Sequence, residues 1–268
     1  MFGERVGITT KRAADGWTAD ISANIRNLAD EGASADVTLT LAGQTFTQTA
    51  YIPADSTAII RIPDAHYADV TAWTPDTPAP YALRAEIREG NQVLDDLIDR
   101  VGFREISISG MDLLLNGEKL RLMGFNRHEE YGAFGCAVPL QAMAQDILMM
   151  KDMGCNCVRT CHYPNDPRFL DLCDEMGLLV WEEAHARGLQ EEQMRNPNFM
   201  PQTRQCVREM VAQHRNHPSI FIWGCLNECA DNCDYGADCY REVYALLHDL
   251  DASRPMTAAL LEPPVIRV

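Results

Sequence analysis

After Phe103 the hydrophobic pattern of this chain changes period, and that change limits the folds open to it. Before it, apolar and polar residues alternate over short runs. Trp17-Thr18-Ala19-Asp20-Ile21-Ser22-Ala23, Asp36-Val37-Thr38-Leu39-Thr40-Leu41, Ser56-Thr57-Ala58-Ile59-Ile60-Arg61-Ile62 and Tyr81-Ala82-Leu83-Arg84-Ala85-Glu86-Ile87 each read as a strand. Ala42-Gly43-Gln44 turns the second run into Thr45-Phe46-Thr47, a hairpin signal. The stretch 73–80 holds Pro75, Pro78 and Pro80 and cannot be helical. Strands about every ten residues, with no helical period, imply an immunoglobulin-like β-sandwich over residues 1–104. Nothing in it looks catalytic, and its expected work is to support the C-terminal part of the chain.

From residue 105 strands and helices take turns. Leu120–Phe125, Cys155–Thr160, Leu178–Trp181, Ser219–Gly224 and Pro255–Leu260 read as strands. Between them Leu140–Met153, Pro167–Met176, Pro201–His214 and Gly236–Asp249 have helical spacing, carried on the first by Leu140, Met143, Ala144, Ile147 and Leu148. Val207, Met210 and Val211 face inward on the third, and Tyr240, Val243, Tyr244 and Leu247 on the fourth. Right-handed crossovers between such units give a parallel sheet. The expected architecture of residues 105–268 is therefore the first part, about five strands, of a (β/α)8 TIM barrel. A closed barrel needs eight strands and about 250 residues, so the sequence reads as truncated.

Composition narrows the partners. The apolar share of 46 % is that of a protein with a core, and a net charge of −16 argues against nucleic acid or anionic membrane. No apolar run approaches the ~20 residues of a membrane span. Met1-Phe2-Gly3-Glu4-Arg5 lacks the regions of a signal peptide. All ten cysteines lie between Cys136 and Cys239, with no Cys-x-x-Cys. Cys155, Cys157 and Cys225 are expected in buried strands. Free thiols in this number suit a reducing cytoplasm. Cys225, Cys229, Cys233 and Cys239 match no zinc spacing.

The polar residues gather at the strand ends. Asn126-Arg127-His128-Glu129-Glu130 follows the first parallel strand, Arg159 and His162-Tyr163 the second, Glu182-Glu183 the third and Asn227-Glu228 the fourth. The C-terminal ends of barrel strands are where this fold places its chemistry. The last pair closes Arg215-Asn216-His217-Pro218-Ser219-Ile220-Phe221-Ile222-Trp223-Gly224-Cys225-Leu226-Asn227-Glu228, a proline-punctuated apolar strand. On the pattern alone, Glu228 could equally cap the next element.

Asn156-Cys157-Val158-Arg159-Thr160-Cys161-His162-Tyr163-Pro164, continuing through Phe169, Leu170, Asp174 and Gly177–Trp181, resembles the first signature of glycoside hydrolase family 2. Residues 215–228 resemble its acid/base signature, and residues 101–106 and 115–120 its join between sandwich and barrel. The family includes β-galactosidases, β-glucuronidases and β-mannosidases, all retaining enzymes. The resemblance implies a retaining β-glycoside hydrolase, β-galactosidase-like before β-glucuronidase-like, using an acid/base and a carboxylate nucleophile. It implies Glu228 as the acid/base, raised toward neutrality by partial burial and a second carboxylate. Asn227 would bond the sugar 2-OH, Arg159 would hold the nucleophile ionised, and His128, His162 and Glu130 would contact sugar. One of Glu182 and Glu183 would neutralise Arg159. The partner is then a β-linked saccharide, with no cofactor.

Two departures from the family accompany this. Some of its β-galactosidases bind magnesium through a Glu and a His beyond the third strand, where this chain has Ala184-His185-Ala186-Arg187. Arg187 stands where the acid would fall, so no metal is expected. The family nucleophile, near the end of a seventh strand, has no counterpart before Val268, and the family's N-terminal sugar-binding-like sandwich is also missing. The isolated chain is expected to be inactive and, with unpaired barrel edges, to form homo-oligomers. A different class of reading is a non-catalytic carbohydrate-binding or scaffold protein on a decayed barrel.

Overall fold

The computed structural model describes residues 1–261 and divides into two compact units, Met1–Glu105 and a second beginning at Ile106. The first unit is built from seven strands, β1 (Phe2–Ala13), β2 (Gly16–Asn27), β3 (Ala33–Leu41), β4 (Gln44–Ile52), β5 (Ser56–Tyr67), β6 (Tyr81–Glu89) and β7 (Gln92–Val101). They form two antiparallel sheets, β1-β2-β5 and β4-β3-β6-β7. Alternate side chains of both sheets, among them Val6, Ile21, Leu39 and Leu83, share one core, an immunoglobulin-like sandwich. The proline-rich stretch carries the chain from β5 to β6 and buries Trp73, whose N–H donates to the Phe103 carbonyl at 2.8 Å.

Two of these strands escape the alternation pattern. β1 carries Glu4, Arg5, Lys11 and Arg12, and β7 carries Asp95, Asp96, Asp99 and Arg100. Each is a sheet edge with one neighbour, where charges are tolerated and obscure the period.

The second unit opens with a small antiparallel sheet of β8 (Ile106–Ser109), β9 (Asp112–Leu115) and β10 (Glu118–Lys119). Then come β11 (Gly124–Arg127), α1 (Leu140–Asp152), β12 (Cys157–Thr160), α2 (Pro167–Met176), β13 (Leu179–Glu183), α3 (Glu191–Met194), α4 (Phe199–His214), β14 (Ile220–Asn227), α5 (Asp234–Leu250) and β15 (Met256–Ala259). The five strands β11-β12-β13-β14-β15 pair in chain order, all parallel. Their core joins Val158, Val180, Ile220 and Trp223 to helix residues such as Ile147, Phe169, Val207 and Val243.

Several sequence expectations shift. The first parallel strand starts at Gly124, not Leu120, because the Asn156 side chain takes up the backbone before it. Its amide donates to the Arg121 carbonyl and its carbonyl accepts from Met123 N–H, both at 2.8 Å. β12 begins at Cys157, leaving Cys155 outside it, and Cys157 is only half-buried. Leu140 and Leu148 of the first helical pattern are exposed, and so is Tyr244, contrary to its expected burial. β13 and β14 extend farther than the apolar runs, so Glu182, Glu183 and Asn227 are strand residues.

The Arg-Asn-His-Pro punctuation has a structural purpose. Asp174 on α2 accepts from His217 Nδ1 at 2.6 Å and from Ser219 N–H at 3.0 Å. Arg254 donates to the carbonyls of Arg215, His217 and Ile220 at 2.6, 3.1 and 2.8 Å. These buried groups satisfy the backbone at the entrance to β14 and so fix where its far end lies.

Candidate functional site

The far ends of β12, β13 and β14 meet at one buried carboxylate, Glu183. Its Oε2 accepts from Arg159 Nε at 2.9 Å and its Oε1 lies 2.7 Å from His162 Nδ1. Arg159 Nη2 donates to Asn227 Oδ1 at 2.6 Å, and the guanidinium lies over the Trp181 ring, 4.5 Å from its centre. Strand register produces this meeting. Arg159 is opposite Trp181, and Glu183 is opposite Gly224. A Cβ at Gly224 would sit 2.4 Å from Glu183 Cβ and 2.5 Å from Trp181 Nε1, so only glycine leaves room there.

The two consecutive glutamates of β13 point opposite ways, as strand residues must. Glu183 faces the strand ends. Glu182, fully buried, turns to the helix side and meets His214 Nδ1 at 2.9 and 3.0 Å. Arg159 is therefore neutralised by Glu183.

Proton positions follow from the bonding. Arg159 has only N–H donors, so Glu183 accepts from it. Glu183 lies 2.7 Å from His162 Nδ1, closer than the 3.3 Å of Arg159 Nη2, which favours the tautomer with its hydrogen on Nδ1 and Nε2 as an acceptor. Asn227 spends its carbonyl on Arg159 and keeps its NH2 to donate. His128 packs edge-on to His162, ring centres 5.3 Å apart, and lies 3.4 Å from the Tyr163 hydroxyl. That hydroxyl accepts from Glu129 N–H at 3.1 Å.

The remaining expected residues divide. Glu130 is exposed beside this group, whereas Glu129 turns away to accept from Asp166 N–H at 3.0 Å. Burial, against the pull of Asp166 N–H and Arg127, raises the Glu129 carboxyl above the usual range. Glu228 does not cap the following helix, since the Cys233 thiol accepts from Gly236 N–H at the start of α5. It is exposed rather than partly buried, with a backbone φ of +50°. That left-handed conformation is costly for a residue with a Cβ, and such strain gathers at functional sites. Its N–H donates to the Ala259 carbonyl at 2.9 Å, so β15 fixes its place. Among the described residues its side chain has no ion-pair partner.

Sequence reasoning left out two residues that the structure brings in. Cys161 is buried between Arg127 and His162, its N–H donating to the Arg127 carbonyl at 3.1 Å. Arg187 lies in a loop held against β14 by bonds of Asn227 N–H to Ala186 O and Gly188 N–H to Asn227 O, at 3.0 and 2.8 Å. Its guanidinium is 5.5 Å from the centre of the Tyr163 ring and has no carboxylate partner among the described residues. A cation fixed in this loop does not suit the magnesium that some relatives hold there. A cavity of about 330 Å³, lined by Tyr240, Tyr244 and Leu260 among others, lies between α5 and β15 and contains none of the candidate residues.

Comparison with known proteins fits this geometry. Residues 4–104 match glycosyl hydrolases family 2, and residues 106–260 match its TIM barrel domain. The chain belongs to glycosyl hydrolases family 2. Among solved structures of the family, a β-galacturonidase from Eisenbergiella tayi bound to galacturonate is 44 % identical, with a TM-score of 0.94 over 97 % of this chain and 46 % of that one. A Bacteroides uniformis β-glucuronidase is 27 % identical, with a TM-score of 0.85 over 95 % of this chain and 33 % of its own. A β-galactosidase of Thermoanaerobacter pseudethanolicus is 36 % identical over 186 residues, which is 68 % of this chain and 24 % of that protein. The chain thus spans about a quarter to a half of the length of these relatives. Among the described residues, no helix is long and apolar enough to cross a membrane.

Proposed function

We propose that this chain carries the acid/base half of a retaining β-glycoside hydrolase site, with Glu228 as the proton donor. Glu228 would protonate the departing glycosidic oxygen and then take a proton from the attacking water. The carrying observation is the bonded series Asn227–Arg159–Glu183–His162 at the strand ends beside it. It leaves Asn227 NH2 free to donate to a sugar hydroxyl and His162 Nε2 free to accept from one. His128 and Glu130 border the same surface.

Double displacement needs a second carboxylate about 5–5.5 Å from the first. Glu183 is a poor candidate, because attack would cost it both Arg159 and His162. No described residue is assigned this role, so the chain alone is proposed not to turn over. Hydrolysis of a nitrophenyl β-galactoside by the purified chain, abolished by Glu228→Gln, would overturn that.

The relatives named β-galactosidase and β-galacturonidase act, by those names, on sugars of galactose configuration, which favours that configuration here. A second reading, that the sugar is a uronic acid, rests on Arg187. A fixed guanidinium without a carboxylate partner among the described residues is suited to a sugar carboxylate. Calorimetric titration of the chain with galactose and with galacturonate separates the readings. Both sugars are expected to bind, and Asn227→Ala to weaken both. Arg187→Ala is expected to weaken galacturonate alone. Equal loss of both sugars would remove the uronate reading, and binding of neither would remove the site.

A further inference from the structure

We infer that His128, Cys161 and His162 form a binding site for a thiophilic divalent cation, Zn2+ being the natural fit. One ligand atom from each of the three lies within 4.8 Å of the other two. In a tetrahedral zinc centre with Zn–N of about 2.0–2.1 Å and Zn–S of about 2.3 Å, ligand atoms stand roughly 3.5 Å apart. Each pair is therefore at most about 1.3 Å from closing. His128 is exposed and can turn to close it, while Cys161 is buried at the base and His162 half-buried beside it.

Donor chemistry selects the metal. Two imidazoles and a thiol suit zinc and not magnesium or calcium, which take oxygen ligands. The orientation of His162 is the stronger argument. Zinc-bound histidines typically donate their other ring N–H to a carboxylate, which fixes the tautomer and raises the basicity of the ligating nitrogen. Glu183 already holds His162 Nδ1 at 2.7 Å, so Nε2 is the nitrogen left to ligate. The second such cluster, Asp171, Asp174 and His217, lacks this readiness, because Asp174 is spent on His217 and on the backbone of Ser219.

Binding is an exchange with a defined balance. The Cys161 thiol loses its proton to solvent and forms the S–Zn bond, with no change of oxidation state. Three protein ligands leave a fourth position open for water. The expectation that the chain binds no metal rests on the loop after β13, and these residues lie outside that loop. Metal binding needs no turnover, so the inference stands apart from the glycosidase reading. It does use the His162 Nε2 proposed there to accept from a sugar hydroxyl, and metal and sugar would exclude each other at that atom.

The test is titration of the reduced, metal-free 268-residue chain with Co2+ as a spectroscopic probe, followed by displacement with Zn2+. One equivalent is expected to give a thiolate-to-cobalt charge-transfer band and tetrahedral d–d bands, both bleached by Zn2+. Cys161→Ser should abolish the charge-transfer band. His128→Ala, at an exposed position that does not endanger folding, should weaken Zn2+ binding at least about tenfold, the scale on which even outer partners of zinc ligands act. Cys206→Ser, on α4, should change neither. An unaltered band in Cys161→Ser, unaltered affinity in His128→Ala, or no cobalt spectrum at stoichiometric metal would each overturn the site.

Discussion

The two units of this chain treat charge differently. In the sandwich several ion pairs stand in solvent: Arg26–Asp55, His66–Asp15, Arg84–Asp96 and Arg88–Glu86 each have at least one partner substantially exposed. The α/β unit has exposed pairs too, such as Lys119–Asp112 and Arg241–Asp238, but it adds internal ones: Arg159–Glu183, Glu182–His214, Asp174–His217 and Asp251–Arg254 are largely shielded from water. Exposed pairs contribute little, because water and salt screen them and two long side chains must be ordered. Buried pairs cost several kcal/mol of desolvation per ion, which only good geometry and further hydrogen bonds recover. The first unit thus rests on its apolar core far more than on these pairs. The second accepts an expense that has a use, since the same pairs fix the strand ends that hold the candidate site.

Four substitutions or titrations bear on that contrast. Glu183→Ala leaves Arg159 buried without its carboxylate and frees His162, and is expected to cost about 3–5 kcal/mol of folding stability, measured by urea denaturation. A loss below about 1 kcal/mol would place Arg159 in water and end the comparison. Gly224→Ala forces a methyl onto Glu183 and Trp181 and should cost about 1–3 kcal/mol, with a crystal structure showing both side chains displaced. Unchanged stability would mean that the strands part easily.

The Asp174–His217 pair gives a smaller, pH-dependent effect. Burial opposes a charge on His217, but the Asp174 carboxylate and its hydrogen bond, with Asp171 and Glu182 behind, outweigh it and raise the imidazole above its ordinary 6.5. A raised histidine contributes stability that is full below about pH 6.5 and is lost as pH climbs through the folded value. Thermal midpoints should therefore fall between about pH 6 and pH 8, and Asp174→Asn should flatten that fall. A midpoint rising with pH in the parent chain would contradict the direction. Smallest of all, Arg26→Ala in the sandwich should leave the denaturation midpoint where it was. A clear shift there would show that surface pairs matter in both units.

Much of the fold was readable from one-dimensional pattern. The interior sandwich strands announce themselves because one face is wet, so Val37, Leu39 and Leu41 alternate with polar neighbours. The helices of the second unit do so because α4 and α5 each bury one stripe. Edge strands β1 and β7 did not, since charge on an unpaired edge hides the alternation. Strand limits near the site also failed, because β13 and β14 continue into Glu183 and Asn227, polar residues buried only through one another.

The sequence by itself determined the two grammars, the parallel order of the second unit and the short list Arg159, His162, Asn227 and Glu228, because periodicity and strand-end polarity are local properties. Only the tertiary structure decided which of the two glutamates on β13 meets Arg159, that Gly224 makes the room, and that Cys161 stands with two histidines. It also decided that Arg187 reaches Tyr163 from a loop bonded to β14. Those facts depend on register between strands far apart in the chain. A shift of one residue would turn Glu183 toward the helices and Glu182 toward the strand ends.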